Sequence, residues 1–434
     1  MKIFEVKEKL SPKLAGSEKS SFYKFLTAAK KTNPNIVKQV EKIIATTKKD
    51  GDKALINYSN QFDNTQFSKA QDFVASKKEI DAAIKNIAPK TLTALKMAYA
   101  RIMAYHKKQL PKDFLYTDKA GVTLGNSWRA IESIGVYAPG GTASYPSSVL
   151  MSAVPAIAAG VSKIKLCAPS ESGKLNDAVL VAAHICGIKE IYKIGGAQAI
   201  AALAHGTKTI AKVDKIVGPG NSYVATAKKI LYGEVGIDMI AGPTDITIIC
   251  DNDNNPTWIA ADALSQLEHG PDSKAFIITN DKQFAQKIIA EINNLKTALP
   301  RKNIIENSLK NSAIFVIKDL AQSFHLSNFI APEHLEISCK NAHNFLPKIN
   351  NAGAVFLGKY SPESIGDYIA GPSHTLPTEG TSRFASGLSV YDFLKRISLI
   401  SCDKKSFAKL AKSASTLAAC EGLLAHKLSI DIRK

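Results

Sequence analysis

Apolar residues recur at three- and four-residue intervals in NPNIVKQVEKIIATTKK (33–49), KKEIDAAIKNIA (77–88) and TLTALKMAYARIMAYHKKQL (91–110). This period predicts amphipathic helices, so residues 1 to about 118 read as helical, with Asn33 or Asn35 as a cap for the first. A strand pair is expected next, at Val122–Trp128 and Glu132–Ala138. From there short apolar runs alternate with helical patterns. ESIGVYAP (132–139), KIKLCAP (163–169), KEIYKI (189–194) and VDKIVG (213–218) each lead through a turn into a helix. Repeated strand–turn–helix units predict a parallel sheet with crossover helices. TDITIIC, KAFIITN, NSAIFVI and AGAVFLG supply the strands of a second set, with helices at PTWIAADALSQLEHG and DKQFAQKIIAEINNL. Beyond about Arg383 come a strand near ISLISC and a helix from Lys404 to Glu421. The fold class is therefore α/β. It has two Rossmann-like parallel-sheet domains without a G-x-G-x-x-G motif, a helical N-terminal segment and a small C-terminal tail domain. The expected division is 1–30, then 31–128 together with 243–382, then 129–242, then 383–434.

Composition narrows the functional classes. At 434 residues, 45% hydrophobic and 22% charged, the chain is ordinary for a globular protein of two or more domains. The N-terminus MKIFEVKEKL has no apolar core of a signal peptide. The apolar run Val149–Val161 is short for a membrane span and contains Pro155. No membrane association is expected. The formal charge of +18 invites a nucleic-acid reading, but only six of the basic residues are arginine and the lysines are scattered. Nucleic-acid binders gather arginine and aromatics on one patch, so no nucleic-acid partner is expected. The six cysteines form no C-x-x-C pair, and a reducing cytoplasm is the simplest compartment.

Several segments can carry chemistry. The loops PGGT (139–142), GGAQ (195–198) and GPGN (218–221) each follow a strand and open a helix, where free N–H groups and the helix dipole favour anions. Tight turning alone also calls for glycine there. In LSQLEHGPDSKA, Gln266 and His269 stand three apart and share a helix face. A polar helix end accounts for that pair as well as a metal site does. APEHLEI puts Glu333 and His334 in an expected turn. SIGDYIAGPSHTLPT puts Asp367 seven residues before His374 in a Gly/Pro-rich loop, and CEGLLAHKLS puts Glu421 and His426 around Gly422. Nitrogen and oxygen ligands drawn from separate elements can assemble a zinc site.

YAPGGTASYPSSVLM, GGAQAIAALAHGT, DKIVGPGN, AGPTD, SQLEHGPDS, APEHLE, GDYIAGPSHTLPT and EGLLAH stand in the order seen in the histidinol dehydrogenase family, which this chain resembles from about residue 35 to its end. The resemblance implies oxidation of L-histidinol to L-histidine through the aldehyde, with two NAD⁺ consumed. It implies zinc held by Gln266, His269, Asp367 and His426, and acid–base work by Glu333 and His334. Thr244, His374 and Glu421 are implied as further substrate contacts beside the zinc ligands and His334. Thr244-Asp245 stands where the family usually has Ser-Glu. Tyr137, Gln198 and Asn221 are implied NAD contacts, making 129–242 the NAD-binding domain. The tail 383–434 is implied to dimerise, with Glu421 and His426 completing the partner's site. Two other readings stay open on the residues alone. One is a zinc hydrolase in which Glu333 activates a metal-bound water. The other is a catalytically idle basic binding protein.

Overall fold

The computed structural model describes residues 1–28, 34–140 and 145–434. Asn33 and the Gly141–Thr142 half of the first glycine loop lie outside them. The chain opens with strand β1 (Lys2–Val6) and helix α1 (Ser21–Thr27), capped by the Ser20 hydroxyl. Helices α2 (Pro34–Asp50), α3 (Asp52–Phe62), α4 (Lys77–Asn86) and α5 (Pro89–Lys107) follow. Asn35 falls inside α2, so it is not its cap. Ser76 and Glu79 form a capping box at the start of α4, and Pro89 occupies the first turn of α5.

The expected strand–helix alternation then appears. Strands β2 (Phe114–Thr117) and β3 (Thr123–Ala130) precede β4 (Ser133–Tyr137), α6 (Pro146–Ala159), β5 (Lys163–Cys167) and α7 (Asp177–Ile185). Next are β6 (Glu190–Tyr192), α8 (Gly196–His205), β7 (Lys215–Val217), α9 (Ser222–Leu231) and β8 (Gly236–Ile237). The second set comprises β9 (Asp245–Cys250), α10 (Pro256–Leu267), β10 (Lys274–Thr279), α11 (Lys282–Leu295), α12 (Lys302–Ser308), β11 (Ala313–Ile317), α13 (Ser323–Ile330) and β12 (His334–Ser338). Strand β13 (Ala354–Leu357) and helix α14 (Glu363–Tyr368) close it. The tail holds β14 (Leu394–Ser401), α15 (Lys404–Cys420) and α16 (Leu424–Asp431).

Two parallel sheets result. One runs β6-β5-β4-β7-β8, the other β1-β11-β10-β9-β12-β13. From β4 the smaller sheet adds two strands on one side and then two on the other; from β9 the larger does the same, with β1 as an extra edge strand beyond β11, so each has a topological switch point, between β4 and β7 and between β9 and β12. The central strands are continuous apolar runs because helices cover both faces: all six residues of β9 are buried.

Two expectations need correction. Residues 2–6 form a strand rather than helix, pairing in parallel with β11 at the sheet edge. KIFEV is too short to show a helical period. The expected pair at 122–138 is not a pair. β3 lies antiparallel to β2 and, over eight residues, to β14 of the tail. β4, buried through Ile134–Tyr137, instead needs parallel neighbours on both sides and finds β5 and β7. Val40, Leu55, Leu95 and Ile102 of the preceding helices bury against residues of the 133–237 sheet and its helices.

The β1 edge is held by aromatic packing. Fully buried Phe315 of β11 stacks on Phe4 at 5.7 Å between centroids and meets Phe22 and Phe276. Phe315→Ala is expected to cost about 3–5 kcal/mol, measured by urea unfolding, and to speed amide exchange in residues 2–6.

Candidate active site

The 245–357 sheet places its polar side chains at an unusual end. Ligand sites in open α/β sheets ordinarily lie beyond the carboxyl ends of the strands. Here Asp245 begins β9 with Thr244 just before it, His334 begins β12 with Glu333 just before it, and Gln266 lies in the last turn of α10, which runs back to the same edge. APEHLE is therefore a strand entry rather than a turn. The site is seated on paired backbone.

Glu333 is the hub. Its Oε2 accepts from the Thr244 hydroxyl and from Asp245 N (3.2 Å), while Glu333 N donates to Asp245 Oδ2 (3.2 Å). The Gln266 amide donates to Thr244 Oγ1, which leaves Gln266 Oε1 buried with no hydrogen-bond partner. The Ser-Glu to Thr-Asp change is accommodated, since both side chains engage Glu333. Burial first, with Asp245 adding to it, lifts the Glu333 carboxyl to about 7 against the pull of His334. Burial also raises Asp245.

His334 stands with Nδ1 3.3 Å from the carbonyl of Asp245. A carbonyl only accepts, so Nδ1 carries hydrogen and Nε2 is the exchanging nitrogen. Nε2 faces Asp367 Oδ1 at 3.7 Å and Glu363 Oε1 at 3.9 Å, and both Nε2 and Glu363 Oε1 are buried without a hydrogen-bond partner. Burial pulls the imidazole down, but Glu333, then Asp367 and Glu363, outweigh it and raise it to about 10. Asp367 belongs to helix α14, not to a loop. Burial works to raise its carboxyl, but His334 and His374 together hold it well below the usual carboxylate range. Gly366 lets α14 approach, because a Cβ there would stand 2.5 Å from the Phe356 ring.

His374 donates from Nδ1 to the Asp367 carbonyl (2.9 Å) and lies 3.3 Å from the Ser148 hydroxyl of α6. That contact joins the two sheets at the site. His269 falls beyond the end of α10, its backbone N–H turning onto Gln266 O at 3.3 Å. Its ring is open to solvent in the single chain, yet surrounding protein lowers its basicity, and Asp367 and His334 act on it. A cavity of about 620 Å³ reaches this cluster, lined by His334, Asp367, His374, Tyr105, Phe356 and Tyr360.

The structure thus gathers Thr244, Gln266, His269, Glu333, His334, Asp367 and His374. It does not bring in Glu421 and His426. Both are exposed at the α15–α16 hairpin, and among the described residues no hydrogen bond or ion pair ties them to the cluster.

Three carboxyls escaped the sequence reading. Glu363, 2% exposed, accepts from Ser265 (3.1 Å), and its N–H donates to Glu336 Oε1 (2.6 Å). Burial raises Glu363 to about 8, Asp262 to about 6, and Glu336 well above its ordinary value. Spacing could have found them. Glu363 is four before Asp367, Asp262 four before Gln266, and Glu336 two after His334 in a strand, each on the same face as its partner. His334, Glu363 and Asp367 present ligand atoms within 4.8 Å of one another.

At the 133–237 sheet, Tyr137 ends β4 with its hydroxyl accepting from Gly196 N (3.0 Å) at the start of α8. Gln198 is buried in the first turn of α8. Asn221 caps α9, accepting from Tyr223 N and Val224 N. All three stand at the carboxyl edge of that sheet, and Tyr137 and Asn221 flank its switch point.

Comparison with known proteins agrees with this arrangement. A histidinol dehydrogenase family model matches residues 26–434. A histidinol dehydrogenase of Brucella suis is 47% identical over 413 residues, covering 95% of this chain and 96% of the relative. Histidinol dehydrogenase 1 of Nostoc sp. is 48% identical over 395 residues, 91% of each chain. The crystal structure of histidinol dehydrogenase from Elizabethkingia anophelis superposes with a TM-score of 0.93 at 38% identity, covering 100% of this chain and 98% of that one. With a matching sequence over nearly its whole length and a matching fold, the chain belongs to the histidinol dehydrogenase family, oxidoreductases of histidine biosynthesis.

Proposed function

We propose that the protein oxidises L-histidinol to L-histidine through L-histidinaldehyde in two steps, using NAD⁺ and zinc. The observation that carries this reading is the buried Glu333–His334 couple, with His334 Nε2 free of a hydrogen-bond partner and turned toward Asp367. His334 Nε2 is the nitrogen placed to exchange the alcohol proton; Glu333, Asp367 and Glu363 by themselves keep the ring charged, so it would accept that proton once bound positive charge offsets those carboxylates. Glu333, lifted to about 7, would take a proton from the water that attacks the aldehyde carbon, close to the pKa that serves a general base at neutral pH. Thr244 and Asp245 hold Glu333 for that task.

The residues present suit both groups. Gln266 Oε1 is a buried oxygen without a partner, and Asp367 and His269 add a carboxylate and an imidazole, a donor set fit for zinc. NAD⁺ when bound supplies the hydride acceptor, and zinc an anchor for the substrate's imidazole and amine. The start of α8, which carries no side-chain cap and lies beside Tyr137, Gln198 and Asn221, offers N–H groups to a pyrophosphate.

His426 as fourth ligand, and Glu421 as a substrate contact, would come from a partner subunit. Leu424 (69% exposed) and Leu428 of α16, Ile432 just after it and Leu417 of α15 are large apolar side chains exposed on the tail. That supports a homodimer with shared sites. Free thiols at all six cysteines fit a cytoplasmic location, and among the described residues no helix is long and apolar enough to cross a membrane.

Histidinol should drive NADH formation at two NADH per histidine, with loss of activity on chelation and recovery on adding zinc. NADH-free turnover would return the hydrolase reading. Glu333→Gln is expected to lower the rate by about 10²–10⁴-fold, with aldehyde oxidation, assayed separately, hit harder than alcohol oxidation. Mixing Glu333→Ala with His426→Ala subunits should restore part of the activity that each lacks alone; mixtures as inactive as their parents would argue against shared sites.

A further inference from the structure

The glycine loop 218–221 is braced from beneath by a fully buried ion pair that the chemistry above does not use. Lys228 on α9 and Asp238 just past β8 form a salt bridge with side chains 2% and 0% exposed. Both partners also hold the backbone of one residue. Lys228 Nζ donates to Gly218 O at 3.0 Å, and Gly218 N donates to Asp238 Oδ2 at 2.7 Å. Asp238 Oδ1 in addition accepts from Met239 N at 2.6 Å. Asp238 is itself fixed through its N–H to Ile216 O of β7 at 3.2 Å. Gly218 adopts φ +114°, and a Cβ there would stand 2.0 Å from the carbonyl oxygen of Tyr137. The loop is thus pressed onto the end of β4 in a conformation only glycine accepts.

We propose that Lys228 and Asp238 are positioning residues for the cofactor: they clamp Gly218 so that the loop from β7 to α9 forms a rigid wall of the switch-point crevice. This rests on the proposed NAD⁺ site. An apolar pair of similar volume fills a core as well as a buried ion pair does, and breaking one partner alone strands a charge. What charges add here is direction, because one takes the carbonyl and the other the N–H of the same glycine. Three residues later Asn221 caps α9, so a shift at Gly218 moves the N–H groups that begin that helix.

The double variant Lys228→Met with Asp238→Asn separates this role from stability, because it removes both charges together. It is expected to melt near the wild-type temperature with unchanged zinc content and histidinol KM. Its Kd for NAD⁺, read by calorimetry, should weaken about tenfold or more, since small misplacements of a positioning group carry costs of up to 10²-fold. Asp238→Glu keeps the charge but pushes the loop, and should weaken NAD⁺ in the same way; it decides the matter should the double variant not fold. Wild-type NAD⁺ affinity in a folded variant overturns the proposal. A wild-type protein that binds no NAD⁺ overturns the functional reading itself.

Discussion

The reciprocal hydrogen bonds between Asp245 and Glu333 are the constraint on which the site depends. They join the first turn-in of β9 to that of β12, across the switch point of the larger sheet. Glu333 is thereby set by two strands, and His334, the next residue, is already in the ladder with its ring on the Asp245 carbonyl. A carboxylate and an imidazole on a flexible loop would lose much of that alignment. Seated on parallel strands they cannot drift apart without breaking backbone pairing.

The same arrangement concentrates negative charge out of water. Asp245, Glu333, Glu336, Glu363 and Asp262 are all pushed toward protonation by burial. Asp367 beside them is instead held strongly ionised, by the imidazoles of His334 and His374. Buried charge is costly without compensation. A divalent cation together with an ammonium-bearing substrate matches that deficit, which is why the acidic surroundings and the proposed ligands belong to one account. The two sheets divide the work. The larger offers the N-terminal ends of its strands and the smaller its carboxyl edge, with Ser148 and His374 joining the two.

Much of this was legible along the chain. Apolar runs such as DITIIC and helical periods such as PTWIAADALSQL announced buried strands and crossover helices, because period and burial are local properties of sequence. Motif order exposed the candidate residues. Glu363, Glu336 and Asp262 were missed although their spacing from Asp367, His334 and Gln266 was in view. A lone glutamate or aspartate in a helix or strand ordinarily faces water, and only packing shows that these do not.

Sequence by itself therefore determined most of the element types, the parallel α/β class and the chemical kinds of side chain at the candidate site. These follow from side-chain chemistry and from hydrogen bonding within a few residues. Tertiary structure decided which ends of the strands carry the candidate site, that residues 2–6 join a sheet built mainly from residues 245–357, and that β3 pairs with β2 and the distant tail strand β14 rather than with β4. It also decided that Glu421 and His426 stay outside the cluster within one chain. Those outcomes turn on long-range burial and strand pairing, whose energies depend on what lies opposite in space and leave no periodic trace in the chain.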